Sequence, residues 1–354
     1  MKLLHPVVVL FGAGATRGGL RNKSVPPPVD ADFFEIAGQI KGHGTPKLAR
    51  TVLGDVWTLY GRVSGIGLEN YYRDIETRAK ISSFAKSANK PKDWQKRQEN
   101  LEELIRRVVV HTTCESKAKH LTPVKSPFHS AILNKLQKGD AILTFNYDLL
   151  IEESFKTADV WTPIGGYGVA VHGIKNEWCK NWLSHRNVTS SQAAKIQLLK
   201  LHGSVHWALY KTGEVKLKDR PFVVRTRNKA TVFETVSILP PGWNKRIDKK
   251  PYKELWKKAR LKLEKCKTVI VIGYSLPETD LLAKALFAEV VRLRAARKHY
   301  LRELHLADPN ESVKQRLVDV FVSALNAQSK VFRYAGIEEL RSRISKKTKI
   351  AGNS

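Results

Sequence analysis

The sequence predicts an α/β protein built on a parallel sheet. Four short runs of apolar and β-branched residues are typical of strands buried on both faces: 7–11, 141–145, 268–272 and 304–306. Helical stretches separate these runs, and strands that alternate with helices are joined by crossovers, which make neighbouring strands parallel. A glycine-rich or polar motif follows each run. Because parallel strands end at one edge of the sheet, we expect these motifs to converge on one crevice, where such sheets bind ligands.

The stretch between the first two strands predicts a helical insertion. Leu101, Leu104 and Val108 recur at helical spacing, and the surrounding sequence has helical character. The expected organisation is a single domain over 1–340, with a sheet core at about 1–40 and 139–330 and a helical lobe inserted at about 41–138.

Two irregular segments flank these elements. The proline-rich stretch 26–34 is expected to be extended, because proline disfavours helix in the residue before it. Residues 341–354 carry five Lys or Arg and no acid, which predicts a basic tail that frays.

The composition indicates a globular protein outside the membrane. Hydrophobic residues make up 42% of the chain, and no apolar run reaches the roughly 18 residues that a membrane helix needs. The apolar start at 1–11 continues into the glycine turn with no cleavage-site context, so we interpret it as a buried strand and expect a cytoplasmic protein. The three cysteines are widely separated, and without a Cys-x-x-Cys they predict neither a disulfide framework nor a cysteine zinc site.

The charge is strongly basic. The chain has 62 Lys and Arg against 33 Asp and Glu, a net charge of +29. Such a field attracts polyanions, which include nucleic acids, phosphorylated ligands and acidic partners. A merely solvated basic surface is the alternative, and the sequence leaves both open.

The first motif is the glycine-rich turn 12–19. Glycines after a strand permit a tight turn and let backbone N–H groups approach a pyrophosphate at a helix N-terminus. The turn departs from the dinucleotide fingerprint G-x-G-x-x-G, because Arg17 occupies the third glycine position, and it lacks the Gly-Lys-Ser/Thr of a P-loop. A plain strand-to-helix turn is the alternative.

Two further motifs supply candidate catalytic groups. Asn146 lies in a Thr-Phe-Asn-Tyr-Asp run, where its amide can hold a ribose hydroxyl or a water. His202 lies in Leu-His-Gly, and an imidazole can take up a proton near neutral pH, although a lone histidine is more often structural. Asp148 is expected either at the ligand or as the cap of the following helix.

The last motifs are Gly-Tyr-Ser-Leu-Pro-Glu-Thr-Asp at 273–280 and the Asp-Pro-Asn that begins at Asp308. Gly273 and Ser275 are candidates for contacting a phosphate or ribose, and Asp280 for bonding a ribose or capping a helix. Asp308 is placed to bind a second ribose hydroxyl, although Asp-Pro-Asn is also common in turns.

Four of these motifs resemble, in this order, the bacterial sirtuin-like family over roughly residues 5–310: Gly-Ala-Gly-Ala-Thr, Thr-Phe-Asn-Tyr-Asp, Leu-His-Gly and Gly-Tyr-Ser-Leu-Pro-Glu-Thr-Asp. The resemblance implies a Rossmann-like NAD site with a helical insertion, in which Asn146 and His202 form the catalytic pair. It implies that Gly12, Ala13, Gly14, Ala15 and Thr16 line the pyrophosphate, that Asp32 and Phe33 lie near the nicotinamide pocket, and that Gly273, Ser275 and Asp308 lie on the adenosine side. Asp148, Tyr274 and Asp280, within the same motifs, complete the predicted cofactor-binding residues.

The missing zinc cysteines decide which activity the resemblance favours. Sirtuin deacylases carry a four-cysteine zinc ribbon, whereas zinc-free members with a helical insertion resemble bacterial antiphage effectors that destroy NAD. We therefore expect an NAD glycohydrolase that needs no metal, forms a homo-oligomer and is gated by a separate partner, such as a DNA-translocating ATPase or an Argonaute-like protein. The alternatives are an NAD-dependent protein deacylase or ADP-ribosyltransferase, and a non-catalytic subunit that binds nucleic acid through its basic surface.

Overall fold

The computed structural model describes residues 3–41, 44–83, 90–117, 120–155, 161–172, 195–210, 212–217, 233–239 and 247–345. Its strands are β1 (Val7–Phe11), β2 (Cys114–Lys117), β3 (His120–Pro123), β4 (Ala141–Thr144), β5 (Val171–His172), β6 (Gln197–Lys200), β7 (Gly203–Tyr210), β8 (Val215–Leu217), β9 (Phe233–Ile238), β10 (Thr268–Ile272), β11 (Glu303–Ala307) and β12 (Lys330–Tyr334). Its helices are α1 (Ala13–Gly19), α2 (Phe33–Gln39), α3 (Thr45–Tyr60), α4 (Leu68–Ser83), α5 (Lys90–Thr113), α6 (Pro127–Leu133), α7 (Leu150–Phe155), α8 (Pro163–Gly166), α9 (Tyr252–Lys265), α10 (Leu281–Ala296), α11 (Glu311–Phe321) and α12 (Ile337–Ser345).

The core is a six-stranded parallel sheet in the order β12-β11-β10-β1-β4-β6. This confirms the predicted α/β, Rossmann-like fold. The chain adds β4 and β6 on one side of β1 and then returns to place β10 on the other side. The strand order therefore reverses beside β1, between β1 and β10, and ligands of such sheets bind outside the carboxyl ends of the strands at this point.

The central strands are buried because helices cover both faces of the sheet. Every residue of β1, β4, β10 and β11 is buried, as the continuous apolar runs predicted. The edge strand β12 was not predicted. Its sequence, Lys-Val-Phe-Arg-Tyr, includes two cations, and three of its five residues are exposed, so it lacks the buried apolar run by which the central strands were found.

The helical lobe has a hydrophobic cluster of its own. Helices α2 to α5 contribute buried side chains from Phe33 to Val108 to this cluster, separately from the sheet core. The sequence placed the lobe at about 41–138. In the structure α2 already belongs to it, whereas α6 buries Phe128 and Ile132 in the sheet core.

Two expectations about irregular segments are corrected. The stretch 26–34 is not extended throughout, because a 3-10 turn occupies Asp30–Asp32 and α2 begins at Phe33, whose ring is buried with that of Phe34. The basic tail does not fray from Arg341. Helix α12 runs to Ser345 and buries Leu340 and Ile344 in the sheet core. Residues 346–354 lie outside the described residues.

A second, smaller sheet joins the core next to β6. Its order is β5-β8-β7-β9, and β7 pairs antiparallel with both β8 and β9. Only Leu201 and His202 separate β6 from β7, so the chain passes directly from one sheet into the other at this histidine. No helix within the described ranges is both long and apolar enough to cross a membrane.

Candidate functional site

A cleft of about 590 Å³ opens at the carboxyl edge of the central sheet, between the sheet and the helical lobe. Its volume lies within the usual range of small-molecule sites, about 300–1,000 Å³. It brings together 13 of the 15 residues predicted for the site: Gly12, Ala13, Gly14, Thr16, Phe33, Asn146, Asp148, His202, Gly273, Tyr274, Ser275, Asp280 and Asp308. The motifs therefore meet at one crevice, although they follow five different strands.

The floor of the cleft is a close contact between two glycine turns at the point where the strand order reverses. Gly14 N donates a hydrogen bond of 2.9 Å to Gly273 O, and Gly273 has a positive φ of 56°. A side chain at Gly12 would lie 2.5 Å from Gly273 O, and one at Gly273 would overlap the backbone of Gly14 and Ala15. The turns can approach each other because neither carries a Cβ atom here.

The N–H groups of the first turn are only partly available to a ligand. Gly12 N donates to Ile272 O, Gly14 N to Gly273 O and Ala15 N to Gly12 O, at 2.9–3.0 Å. Ala13 is exposed at the first position of α1, and its N–H has no backbone acceptor among the described residues. Of the five residues predicted at the pyrophosphate, Ala13 is thus the one that offers its amide most openly.

The side chain of Asn146 is held in one orientation by a chain of hydrogen bonds. Its Nδ2 donates to Gly12 O at 2.8 Å and to Thr16 Oγ1 at 2.9 Å, and Thr16 Oγ1 donates to Asp148 Oδ2 at 2.6 Å. The carbonyl of Gly12 can only accept, so the amide must turn its NH2 group towards α1. Its Oδ1 accepts no hydrogen bond from the described residues and is left for a ligand or a water.

Asp148 has a positioning role. Its Oδ1 accepts from Leu150 N at 3.0 Å at the start of α7, and its Oδ2 accepts from Thr16. Because both oxygens are bonded and the residue is only 5% exposed, the carboxylate holds the loop instead of facing a ligand. The helix-capping alternative stated above describes this residue better than direct cofactor binding.

A buried ion pair lies beneath the same loop. Lys200 Nζ lies 3.0 Å from Glu152 Oε1 and also donates to the carbonyl of Asp148. Both side chains are at most 1% exposed, and burial raises the pKa of Glu152. This lysine of β6 therefore connects the loop that carries Asn146 to helix α7.

His202 lies in an aromatic pocket with an acid nearby. Its ring contacts Phe145 edge-on at 5.1 Å between centroids, and its Nε2 lies 3.9 Å from Asp280 Oδ2. Asp280 occupies the N-cap position of α10 but makes no side-chain cap, and it instead accepts from Tyr274 OH at 2.8 Å. It therefore faces the histidine, and the capping alternative for Asp280 is wrong.

The residues predicted on the adenosine side line the far end of the cleft. Asp308 is partly buried, its pKa is raised by burial, and its Oδ1 accepts from Asn310 N at 2.9 Å. Its Oδ2 has no partner among the described residues. Ser275 is exposed, whereas the ring of Tyr274 stacks on Phe145 at 4.3 Å and does not face outward.

The two predicted residues that do not line the cleft are Ala15 and Asp32. Ala15 is fully buried in the sheet core under the first turn. Asp32 binds Arg17 and accepts from Val29 N at 2.9 Å, so it holds the proline-rich segment against α1. Its neighbour Phe33 does reach the cleft, although only 2% of the residue is exposed.

The wall formed by the helical lobe was not predicted. Leu68 and Glu69 of α4, together with Ile105, Val109 and Thr112 of α5, complete the cleft. No motif marks them, because helical residues that face a ligand carry the same amphipathic pattern as those that face a core.

An acid on the same wall was also missed. Asp30 lines the cleft, accepts from Glu69 N at 2.7 Å, and has a pKa raised by burial. A titratable group with such a shift in a cleft marks a candidate ligand contact. The run Val-Asp-Ala-Asp offered two carboxylates in sequence, and only Asp32 was singled out.

Metal ligation has no candidate group in the described part of the chain. No three side chains among its His, Cys, Asp and Glu residues could hold an ion together. Cys114 and Cys266 are buried free thiols, and burial raises their pKa to about 12 and about 11. Cys179 lies outside the described residues.

Comparisons with known proteins were made against families, curated proteins and solved structures. A family model described as the SIR2-like domain matches residues 140–319, slightly more than half of the chain. No curated protein matches the sequence. Among solved structures, a chain described as a "Sir2 homologue S24A mutant-ADP ribose complex" is similar at 12% identity and a TM-score of 0.41, with 96% of this chain and 89% of that chain covered.

Proposed function

The chain belongs to the SIR2-like family, and we propose that it binds NAD in this cleft and hydrolyses the nicotinamide–ribose bond to give nicotinamide and ADP-ribose. The family confirms the resemblance drawn from the motifs. The observation that carries the proposal is that Asn146 and His202 line the same cleft as the two glycine turns where the strand order reverses. Dinucleotides bind at that position in sheets of this kind.

The shape and chemistry of the cleft fit a dinucleotide. The contact between Gly12 and Gly273 brings two turns without side chains together at the floor of the cleft. The exposed Ala13 amide at the start of α1 is a donor for a pyrophosphate there. Asp308 Oδ2, which has no partner among the described residues, can accept a hydrogen bond from a ribose hydroxyl. From Asp308 the cleft continues past the glycine turns to Asn146 and His202.

Asn146 supplies an acceptor at the reacting end. Its amide protons are bonded to Gly12 O and Thr16 Oγ1, and its Oδ1, which has no partner in the described part of the chain, orients a ribose hydroxyl or the attacking water. Because this orientation is fixed before the ligand arrives, little reorganisation is needed in the transition state.

His202 supplies the base. In the proposed step the bond from ribose C1′ to nicotinamide breaks, and its electron pair neutralises the pyridinium nitrogen. Water oxygen bonds to C1′, and its proton passes to His202. Asp280 lies 3.9 Å from Nε2 and stabilises the protonated imidazole. General base catalysis of this type contributes about 10²–10⁴-fold.

The proposal extends to the biological role that the resemblance implies. We propose that the protein is the NAD-depleting effector of a bacterial antiphage system and acts in the cytoplasm. An unregulated enzyme of this kind would be toxic, so the proposal includes gating by self-assembly and by a separate partner.

The test is NAD turnover by the purified protein, with nicotinamide and ADP-ribose measured by chromatography. It is run alone, with lysate from infected cells, and with an acyl-lysine peptide. Asn146→Ala and His202→Ala should each abolish product formation, whereas the exposed controls Asn134→Ala and His299→Ala should leave it unchanged. NAD loss that persists in both site variants would rule the assignment out, and loss that requires the acyl peptide would indicate a deacylase.

A further inference from the structure

The opposite edge of the central sheet, at the amino ends of its strands, carries six cations. They lie at or beside the amino ends of the strands, and we call them the basic edge: Lys138, Lys195, Lys262, Lys267, Arg302 and Lys330. Five are exposed, and Lys262 is partly exposed. Among the described residues, no carboxylate forms an ion pair with any of the six.

Three members of the basic edge lie side by side on neighbouring strands. Arg302 N donates to Lys267 O at 2.8 Å, and Lys330 N donates to Arg302 O at 2.9 Å. Their backbones are therefore one strand spacing apart, about 4.8 Å. Like charges on adjacent strands repel each other, so this row of cations lowers the stability of the fold. An acid in place of Arg302, the middle one, would remove the repulsion.

The other three members lie beyond β1 on the same edge. Gly139 N donates to Lys195 O at 3.1 Å, which brings the loop of Lys138 beside the start of β6. Lys262 Nζ donates to Gly139 O at 3.0 Å from helix α9. The sheet order places these residues at β4 and β6, so the cations extend across five strand spacings, about 24 Å in all.

The acids near this edge offset its charge only in part. Asp140 acts electrostatically on Lys262. Glu303, at the start of β11, is buried and bonds Thr268 and His305. Asp140 is fully buried and binds His5, Val7 N and Gln137 N. Glu264 is 6% exposed and pairs with Arg260 and Arg297. The carboxylates are thus used inside the protein, and the outward field of the edge is positive.

We propose that the basic edge binds the phosphate backbone of nucleic acid. The six cations, five of them lysines, extend over about 24 Å, which suits an extended polyanion. Duplex DNA is such a polymer, because it carries one negative charge per roughly 1.7 Å of its axis. A protein partner is less well matched, because interfaces of that kind depend on apolar anchors. Among the described residues, the large apolar side chains exposed towards this edge are the single residues Leu4, Val322 and Val331.

The position of the basic edge leaves the NAD cleft open. The strands between the two edges have four or five residues, which corresponds to about 13–17 Å. Nucleic acid bound at the amino ends would therefore not compete with a ligand at the carboxyl ends. The inference stands on the charges alone and does not depend on the proposed NAD chemistry.

The test measures binding of the full chain to a fluorescent 30-base-pair DNA duplex by anisotropy over a series of salt concentrations. We expect a dissociation constant of about 10⁻⁴–10⁻⁶ M near physiological salt. With up to six phosphates neutralised, log K should fall with log salt at a slope of about −5. Single-stranded DNA and polyglutamate are run in parallel.

The decisive variant is Lys267→Gln/Arg302→Gln/Lys330→Gln. It should weaken duplex binding at least about tenfold and make the salt slope shallower by about 3. The control Lys41→Gln/Lys47→Gln/Arg50→Gln removes the same charges from exposed positions of the helical lobe and should change binding little. A second variant, Lys138→Gln/Lys195→Gln, repeats the test if the first does not fold.

Three results would overturn the inference. One is equal weakening by the edge and lobe variants, which would make binding a matter of net charge only. Another is tighter binding of polyglutamate than of DNA. The third is the absence of salt-dependent DNA binding at low ionic strength.

Discussion

Thr16 Oγ1 donates a 2.6 Å hydrogen bond to Asp148 Oδ2, which joins the first glycine turn to the loop that follows β4. A hydroxyl has one proton, so this bond leaves Thr16 as an acceptor for Asn146 Nδ2. The orientation of the Asn146 amide is thus set by two residues that need not touch a ligand.

The first prediction concerns this hydrogen-bond chain. Thr16→Val keeps the volume of the side chain but removes the acceptor for Asn146, so we expect kcat for NAD loss to fall about tenfold with little change in KM. This corresponds to one hydrogen bond of about 1.4 kcal/mol. Steady-state kinetics provide the measurement, and Thr16→Ser, which retains the hydroxyl, should stay close to wild type. A large rise in KM with kcat unchanged would contradict the positioning role.

The second prediction concerns the buried pair of Lys200 and Glu152. Lys200→Met leaves the Glu152 carboxylate buried without its counter-ion, so the free energy of unfolding should fall by about 3–5 kcal/mol. The double variant Lys200→Met/Glu152→Gln should recover part of this loss, because Tyr167 OH can still donate to the amide oxygen. Urea denaturation measures both, and additive losses in the double variant would show that the pair is not coupled.

The third prediction concerns acid stability and His129. Burial lowers the pKa of this histidine to about 4, whereas the unfolded value is about 6.5. The neutral folded form is favoured above both values, so the contribution of His129 to stability is complete above about pH 6.5. It is lost as the pH falls towards 4, at up to about 1.4 kcal/mol per pH unit.

His129→Asn should therefore flatten the fall in the free energy of unfolding between pH 6.5 and 4, as measured by denaturation at several pH values. The exposed control His299→Asn should keep the wild-type slope. Identical slopes for all three proteins would show that His129 does not contribute to acid unfolding.

The fourth prediction concerns the contact between the two glycine turns. Gly273→Ala places a Cβ into the backbone of Gly14 and Ala15, so it should abolish NAD turnover as well as lower stability. Gly61 is the matched control, since its φ of 65° is similar and nothing lies within 4 Å of its added Cβ. Gly61→Ala should cost only the backbone strain, about 1–2 kcal/mol, and retain turnover. Comparable turnover in the two variants would show that NAD hydrolysis does not require the close approach of the two glycine turns.

Much of the fold was predictable because its signals are local. The runs that form β1, β4, β10 and β11 could be predicted as strands from their own sequence. Both faces of each strand are covered and every residue is buried, so each run is mostly apolar. The exposed edge strand β12 and the start of α2 within a proline-rich stretch had no such signal. Their conformation depends on β11 and on the helical lobe, respectively.

For the site, the sequence by itself determined which motifs follow the strands, and hence that Asn146, His202 and the glycines at 12, 14 and 273 would share one edge of a parallel sheet. Only the tertiary structure decided what each side chain does there. Hydrogen-bond partners come from residues more than 100 positions apart, as with Thr16 and Asp148, and no local pattern encodes them. The tertiary structure likewise decided that Asp280 faces His202, that Asp32 binds Arg17, and that the helical lobe supplies a wall of the cleft.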